Sequence, residues 1–109
     1  MSSLKINEFA KAVHEVAIDH GWYDEARSFG DVCALIHSEV SEAFQSYRNN
    51  EPPLFKRDGK LEGVLAELAD VVIRILDYSA AEGYDLESVI ELKHEHNINR
   101  PFKYGGKKL

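Results

Sequence analysis

The chain is poor in cysteine, tryptophan and proline: 109 residues hold one Cys (Cys33), one Trp (Trp22) and three Pro. A single thiol excludes a disulfide scaffold, a thiolate zinc site and CxxC redox chemistry. Basic side chains are also in deficit, 13 Lys and Arg against 19 Asp and Glu, for a net charge of −6. That balance argues against a general binder of nucleic acid or of anionic membranes. An anionic ligand would need a local device, either a metal ion or a few clustered cations. No apolar run reaches membrane-spanning length, and Met1–Lys5 carries no signal-peptide core, so a cytoplasmic location is expected. The GxxxxGK[ST], GxGxxG and GxSxG patterns are missing, as are internal repeats and low-complexity runs. Sustained period-2 alternation is missing too, which predicts no sheet.

What is present is helical. Hydrophobic residues make up 44% of the chain and charged residues 29%, the composition of one soluble globular domain over 1–109. Apolar residues recur at helical spacing in four segments. The first runs from about Leu4 to His20 and stops at Gly21; the linker 21–30 carries Trp22. The second spans roughly Asp31 to Arg48, with Asp31 placed to cap it. Pro52-Pro53 opens a loop that lasts to about Gly59. The third runs from about Lys60 to Ala81 and is the most apolar. The fourth runs from an Asp85 cap to about Asn99, stopped by Pro101; the tail, about 101–109, reads as extended. A helix apolar on most sides is covered on most sides, so the third segment predicts self-association, as a homodimer or a dimer of dimers.

Two pairs of acids stand out, Glu39 with Glu42 and Glu67 with Asp70, each spaced i, i+3. That spacing stacks like charges on one helix face, which is unfavourable unless a cation lies between them. Two such pairs can converge on a hard divalent ion. Glu39 falls within the apolar stripe of its helix, between the directions of Leu35 and Ala43, where an uncompensated carboxylate costs several kcal/mol. Glu67 and Asp70 fall on a polar face with Arg74 and Asp77, where an exposed Asp70–Arg74 pair is the plainer reading. On the fourth helix the stripe begun by Leu86, Val89 and Ile90 continues into Lys93, Asn97 and Arg100. Either the helix end dissolves into solvent or these residues hold phosphate. The five histidines make no i, i+4 pair, and the lone Glu91-x-x-His94 is too little for a di-iron bundle. Trp22 is either a lid on the core or a stacking surface for a base.

The ordered set Glu39-x-x-Glu42, 24 residues, Glu67-x-x-Asp70 resembles the metal motif of the MazG-like, all-α nucleoside triphosphate pyrophosphohydrolases. Gly21-Trp22 upstream and Lys93 to Asn97 with Arg100-Pro101 downstream extend the resemblance over nearly the whole chain. It implies a four-helix bundle that oligomerises and binds Mg²⁺, replaceable by Mn²⁺, through Glu39, Glu42, Glu67 and Asp70. It further implies hydrolysis of a nucleoside or deoxynucleoside triphosphate to monophosphate and pyrophosphate, as nucleotide-pool house-cleaning. Glu39 would serve as general base or as ligand. Lys93 and Arg100 would hold the phosphates, and Asn97 a phosphate oxygen or a sugar hydroxyl, while the base preference stays open. The alternative class is a non-catalytic helical dimerisation module, which needs the apolar stripes but not Glu39 inside one.

Overall fold

The computed structural model describes residues 5–101. Leu4 and the tail beyond Pro101, expected to be extended, lie outside these residues. The order is α1 (Ile6–Asp19), α2 (Phe29–Arg48), β1 (Phe55–Arg57), β2 (Lys60–Glu62), α3 (Val64–Ala81) and α4 (Leu86–Ile98). The described residues are therefore mostly helical and form four helices, as expected.

Local chemistry sets the boundaries. Gly21, at φ 80°, closes α1, and the Trp22 N–H reaches back to the Ala17 carbonyl at 3.0 Å. The second helix begins earlier than Asp31. Ser28 is its cap: the Ser28 hydroxyl accepts from the Asp31 N–H at 3.0 Å, and the Asp31 carboxylate accepts from the Ser28 N–H at 3.1 Å. Asp31 thus completes a capping box from the third helical position. Asp85 caps α4 as expected and accepts from the Ser88 N–H. Asn7 fastens that cap to the start of α1, donating its side-chain amide to Asp85 at 2.7 Å and accepting from the Glu87 N–H at 3.1 Å.

The expectation of no sheet is corrected. β1 and β2 form an antiparallel hairpin in the register Phe55–Glu62, Lys56–Leu61 and Arg57–Lys60. Asp58 and Gly59, at φ 53° and 80°, make its two-residue turn. Asp-Gly supplies the two positive φ values that such a turn demands, and this outweighs the weak alternation of three-residue strands. The hairpin takes Lys60–Glu62 away from the expected third helix, which starts at Val64. Gly63 fixes that start: its φ is 109°, and a Cβ there would collide with the Pro53 carbonyl oxygen. The same oxygen accepts from the Leu65 N–H at 2.9 Å.

Helix α3 is central, with α1 on one side and α2 on the other, while α4 packs on α1. The four helices do not close around a common core. Among the described residues only Ala10, Ala43 and Leu76 are buried hydrophobics, and no large side chain is fully buried. Stripe residues from every helix are exposed, among them Phe9, Phe44, Val72 and Val89. The accessible surface is 8648 Å², against about 6,100 Å² for a folded monomer of this mass. The radius of gyration is 16.5 Å, against about 13 Å for a compact 100-residue domain.

Candidate functional site

The stripe that carries Glu39 on α2 faces α3, so this acid meets the face of α3 bearing Glu67 and Asp70. One carboxylate oxygen from each of the three lies within 4.8 Å of the others. The Glu39 side chain keeps 13% of its exposure. Glu67 and Asp70 are half-buried, so the pair on α3 is not the free surface decoration that its polar face suggests. Glu42 stays exposed at the rim, within hydrogen-bond reach of Glu67.

Crowding these acids has an electrostatic consequence. Partial burial, hydrogen bonding to Glu42 and Glu39, and their negative charge push the Glu67 carboxyl up to about 8. Asp70 is raised as well, by burial and by the Glu39 charge, while nearby Arg74 pulls it down. At neutral pH a proton on Glu67 relieves the repulsion that a bound cation would relieve. The donors are all carboxylate oxygens, a set that suits Mg²⁺ or Mn²⁺ rather than a softer ion.

Arg74 is not the surface partner of Asp70. Its Nη2 donates across the helix interface to Glu39 Oε1 at 3.4 Å. Its guanidinium also lies 4.0 Å from the centroid of the Trp22 ring. The Arg27 guanidinium lies 3.9 Å from that centroid, and Arg27 Nε donates to the Trp22 carbonyl at 3.0 Å. Trp22 therefore carries two guanidinium contacts.

The segment holding Trp22 is tied down by a second polar cluster. Asp77, 5% exposed, accepts from the Tyr23 hydroxyl at 2.7 Å and pairs with His14 Nδ1 at 2.8 Å. The Tyr23 hydroxyl is shifted upward by burial and by this carboxylate. One buried acid on α3 thus joins α1 and the linker. Sequence reasoning placed Asp77 on a polar face and found no helical pairing for His14. Nothing local in the sequence signals their meeting, because 63 positions separate them.

Two hollows flank the carboxylates. One is an apolar cavity of about 410 Å³ whose walls include Phe9, Val13, Val16, Trp22, Ile73 and Arg74. The other is a polar hollow of about 330 Å³ that includes Glu42, Ser46, Arg57 and Glu67. Arg57, from the hairpin, is its cation and is paired with Glu51 at 3.1 Å and Glu62 at 3.7 Å. Arg74, which bonds to Glu39, lines the first hollow, while Glu42 and Glu67 themselves line the second.

Lys93, Asn97 and Arg100 are exposed on and just beyond α4. Arg100 donates to Asn97 at 3.5 Å. Among the described residues, no hydrogen bond or ion pair joins any of the three to Glu39, Glu42, Glu67 or Asp70. Comparison with protein-family models, curated proteins and solved structures gave no match to this chain.

Proposed function

We propose that the chain is a Mg²⁺-dependent nucleoside triphosphate pyrophosphohydrolase. The observation that carries this reading is the convergence of Glu39, Glu67 and Asp70 from two helices. Such a cluster is unfavourable in isolation and becomes favourable around a divalent cation. Glu39, Glu67 and Asp70, with Glu42 at the rim, would hold the ion. When bound, the ion would offset phosphate charge and acidify a water. Glu39, engaged by Arg74, suits the ligand role better than the base role.

The choice of a triphosphate, and of pyrophosphate as product, rests on the resemblance of the motif. The layout is compatible with it: an apolar cavity with an aromatic wall on one side for a base, and oxygens for a metal beside it. Because α4 packs on α1, we place Lys93, Asn97 and Arg100 at the carboxylates of a second copy. The uncovered apolar faces support a homodimer or a dimer of dimers.

The same exposed faces favour a second reading, a non-catalytic dimerisation module. That module would have no use for three convergent acids. Phosphorus NMR of a panel of nucleoside triphosphates incubated with the protein and Mg²⁺ tests the enzyme reading. The expected products are monophosphate and pyrophosphate, and EDTA should abolish them. A diphosphate as first product, or turnover indifferent to EDTA, would refute it.

A further inference from the structure

Arg74 occupies a position between two sites. Its guanidinium touches a carboxylate of the acidic cluster and the face of the aromatic wall of the apolar cavity. It is 27% exposed in its side chain, and its buried Nε has no hydrogen-bond partner. It is therefore held by two contacts: a 3.4 Å bond to Glu39, long for a charge-assisted pair, and a stack on Trp22 at 4.0 Å. The bond to Glu39 is the weaker tether, and little is lost when it lengthens.

We propose that Arg74 is a positioning residue that couples cation binding at Glu39, Glu67 and Asp70 to the setting of Trp22, opening a ring face for a flat heteroaromatic ligand when the cation is in place. The inference rests on reading the three acids as a cation site. A divalent ion competes with the guanidinium for Glu39, with twice its charge. It also leaves a like charge beside Arg74 in a partly buried setting, where repulsion is weakly screened. Both effects push Arg74 away from Glu39 and weaken its hold on the indole. Arg27, fixed by its bond to the Trp22 carbonyl, stays with the ring. Linkage makes the coupling reciprocal: a ligand that stacks in place of Arg74 returns Glu39 to the cation and raises cation affinity by the same factor. The cavity would then favour a ring only when the cation is loaded.

Trp22 is the chain's only tryptophan, so its fluorescence reports this contact directly. The test is acrylamide quenching of the full-length protein with and without saturating MgCl2, with cation binding followed independently by Mn²⁺ electron paramagnetic resonance. In the wild type, Mg²⁺ should raise the quenching constant about twofold. In Arg74→Gln and Arg74→Met, quenching should be high from the start and unresponsive to Mg²⁺, while Mn²⁺ still binds. Two variants of different polarity guard against a folding defect in one, and circular dichroism checks both. Arg27→Gln should keep the Mg²⁺ response. If the wild type binds Mn²⁺ but Trp22 is indifferent to Mg²⁺, the coupling is refuted and the cation site stands. A full Mg²⁺ response in both Arg74 variants also refutes the coupling. If the wild type binds no Mn²⁺, the cation reading fails and the coupling with it.

Discussion

Metal binding should compete with a proton, and the competition can be sized. Glu67 sits at about 8 because it is partly buried and shares its surroundings with Glu42 and Glu39. A divalent ion requires it deprotonated, so apparent affinity follows the deprotonated fraction. That fraction is about 1% at pH 6 and about one half at pH 8, which gives roughly fifty-fold tighter binding at the higher pH. Glu67 is only half-buried, and solvent screening trims the expectation to between about ten- and fifty-fold. Asp70, shifted in the same direction, adds to the slope. Isothermal titration of MgCl2 into the protein, in two buffers of different ionisation enthalpy, measures both quantities. Close to one proton should leave per ion at pH 6.5, and fewer at pH 9. The sign for folding follows from the same shift. The folded pKa exceeds the ordinary value of 4.5, so the metal-free protein holds the extra proton between the two values. Its stability is greatest below about 4.5 as far as this group is concerned, and declines as pH rises through about 8. Saturating Mg²⁺ should flatten that decline. A Mg²⁺ affinity that does not change between pH 6 and 8, with no proton released, would refute the shared-proton account of the cluster.

Three further outcomes are expected. Asp77→Ala leaves the Tyr23 hydroxyl and His14 without their buried acceptor and should cost about 2–4 kcal/mol in urea unfolding; Asp77→Asn, which keeps an acceptor for Tyr23, should cost less. Light scattering at micromolar concentration should show a dimer or larger species, and Val72→Glu, on the exposed face of α3, should dissociate it; a wild-type monomer would contradict the oligomeric reading. Lys93→Ala should lower kcat/KM roughly ten- to a hundredfold with the fold intact, from the loss of one charge-assisted phosphate contact of about 1.5–3 kcal/mol. Unchanged efficiency in a Lys93→Ala, Arg100→Ala double variant would return that stripe to a solvated helix end.

The legible parts of this chain were those in which cause and effect lie within a few residues. Four helices follow from 3.6-residue spacing and from Gly21, the Asp85 cap and Pro101. Asp85 was recognisable as a cap because its partner, Ser88, is three residues away. Ser28 was equally local, but Asp31 satisfies the same residue preference, and only geometry separates the cap from the third position of a capping box. The hairpin was hidden for a different reason. Three-residue strands carry almost no periodicity, and the one strong signal, Asp58-Gly59, was read as the end of a loop. The stripes were correctly placed on their helices, yet Phe44, Leu68 and Val72 remain exposed, because periodicity tells which face is apolar and not what covers it.

The candidate site divides along the same line. Glu39 announced itself by lying where a hydrophobe belongs, a contradiction visible in one helix. Its partner was misassigned because the i, i+4 rule offers Asp70 to Arg74, a pairing worth only a few tenths of a kcal/mol on an exposed face. Once α2 docks, Glu39 is the less solvated acid, and a cation gains more from it than from Asp70. The docking also converts Asp77 from a solvated residue into a buried junction. Helix spacing can nominate acids, but which cation meets which acid depends on desolvation, and desolvation exists only after the helices have packed. Of the residues that hold Trp22 in place, Arg27 and Tyr23 are local, whereas Asp77, His14 and Arg74 are of this second kind. For that reason the variants most informative about this protein lie outside its acidic motif.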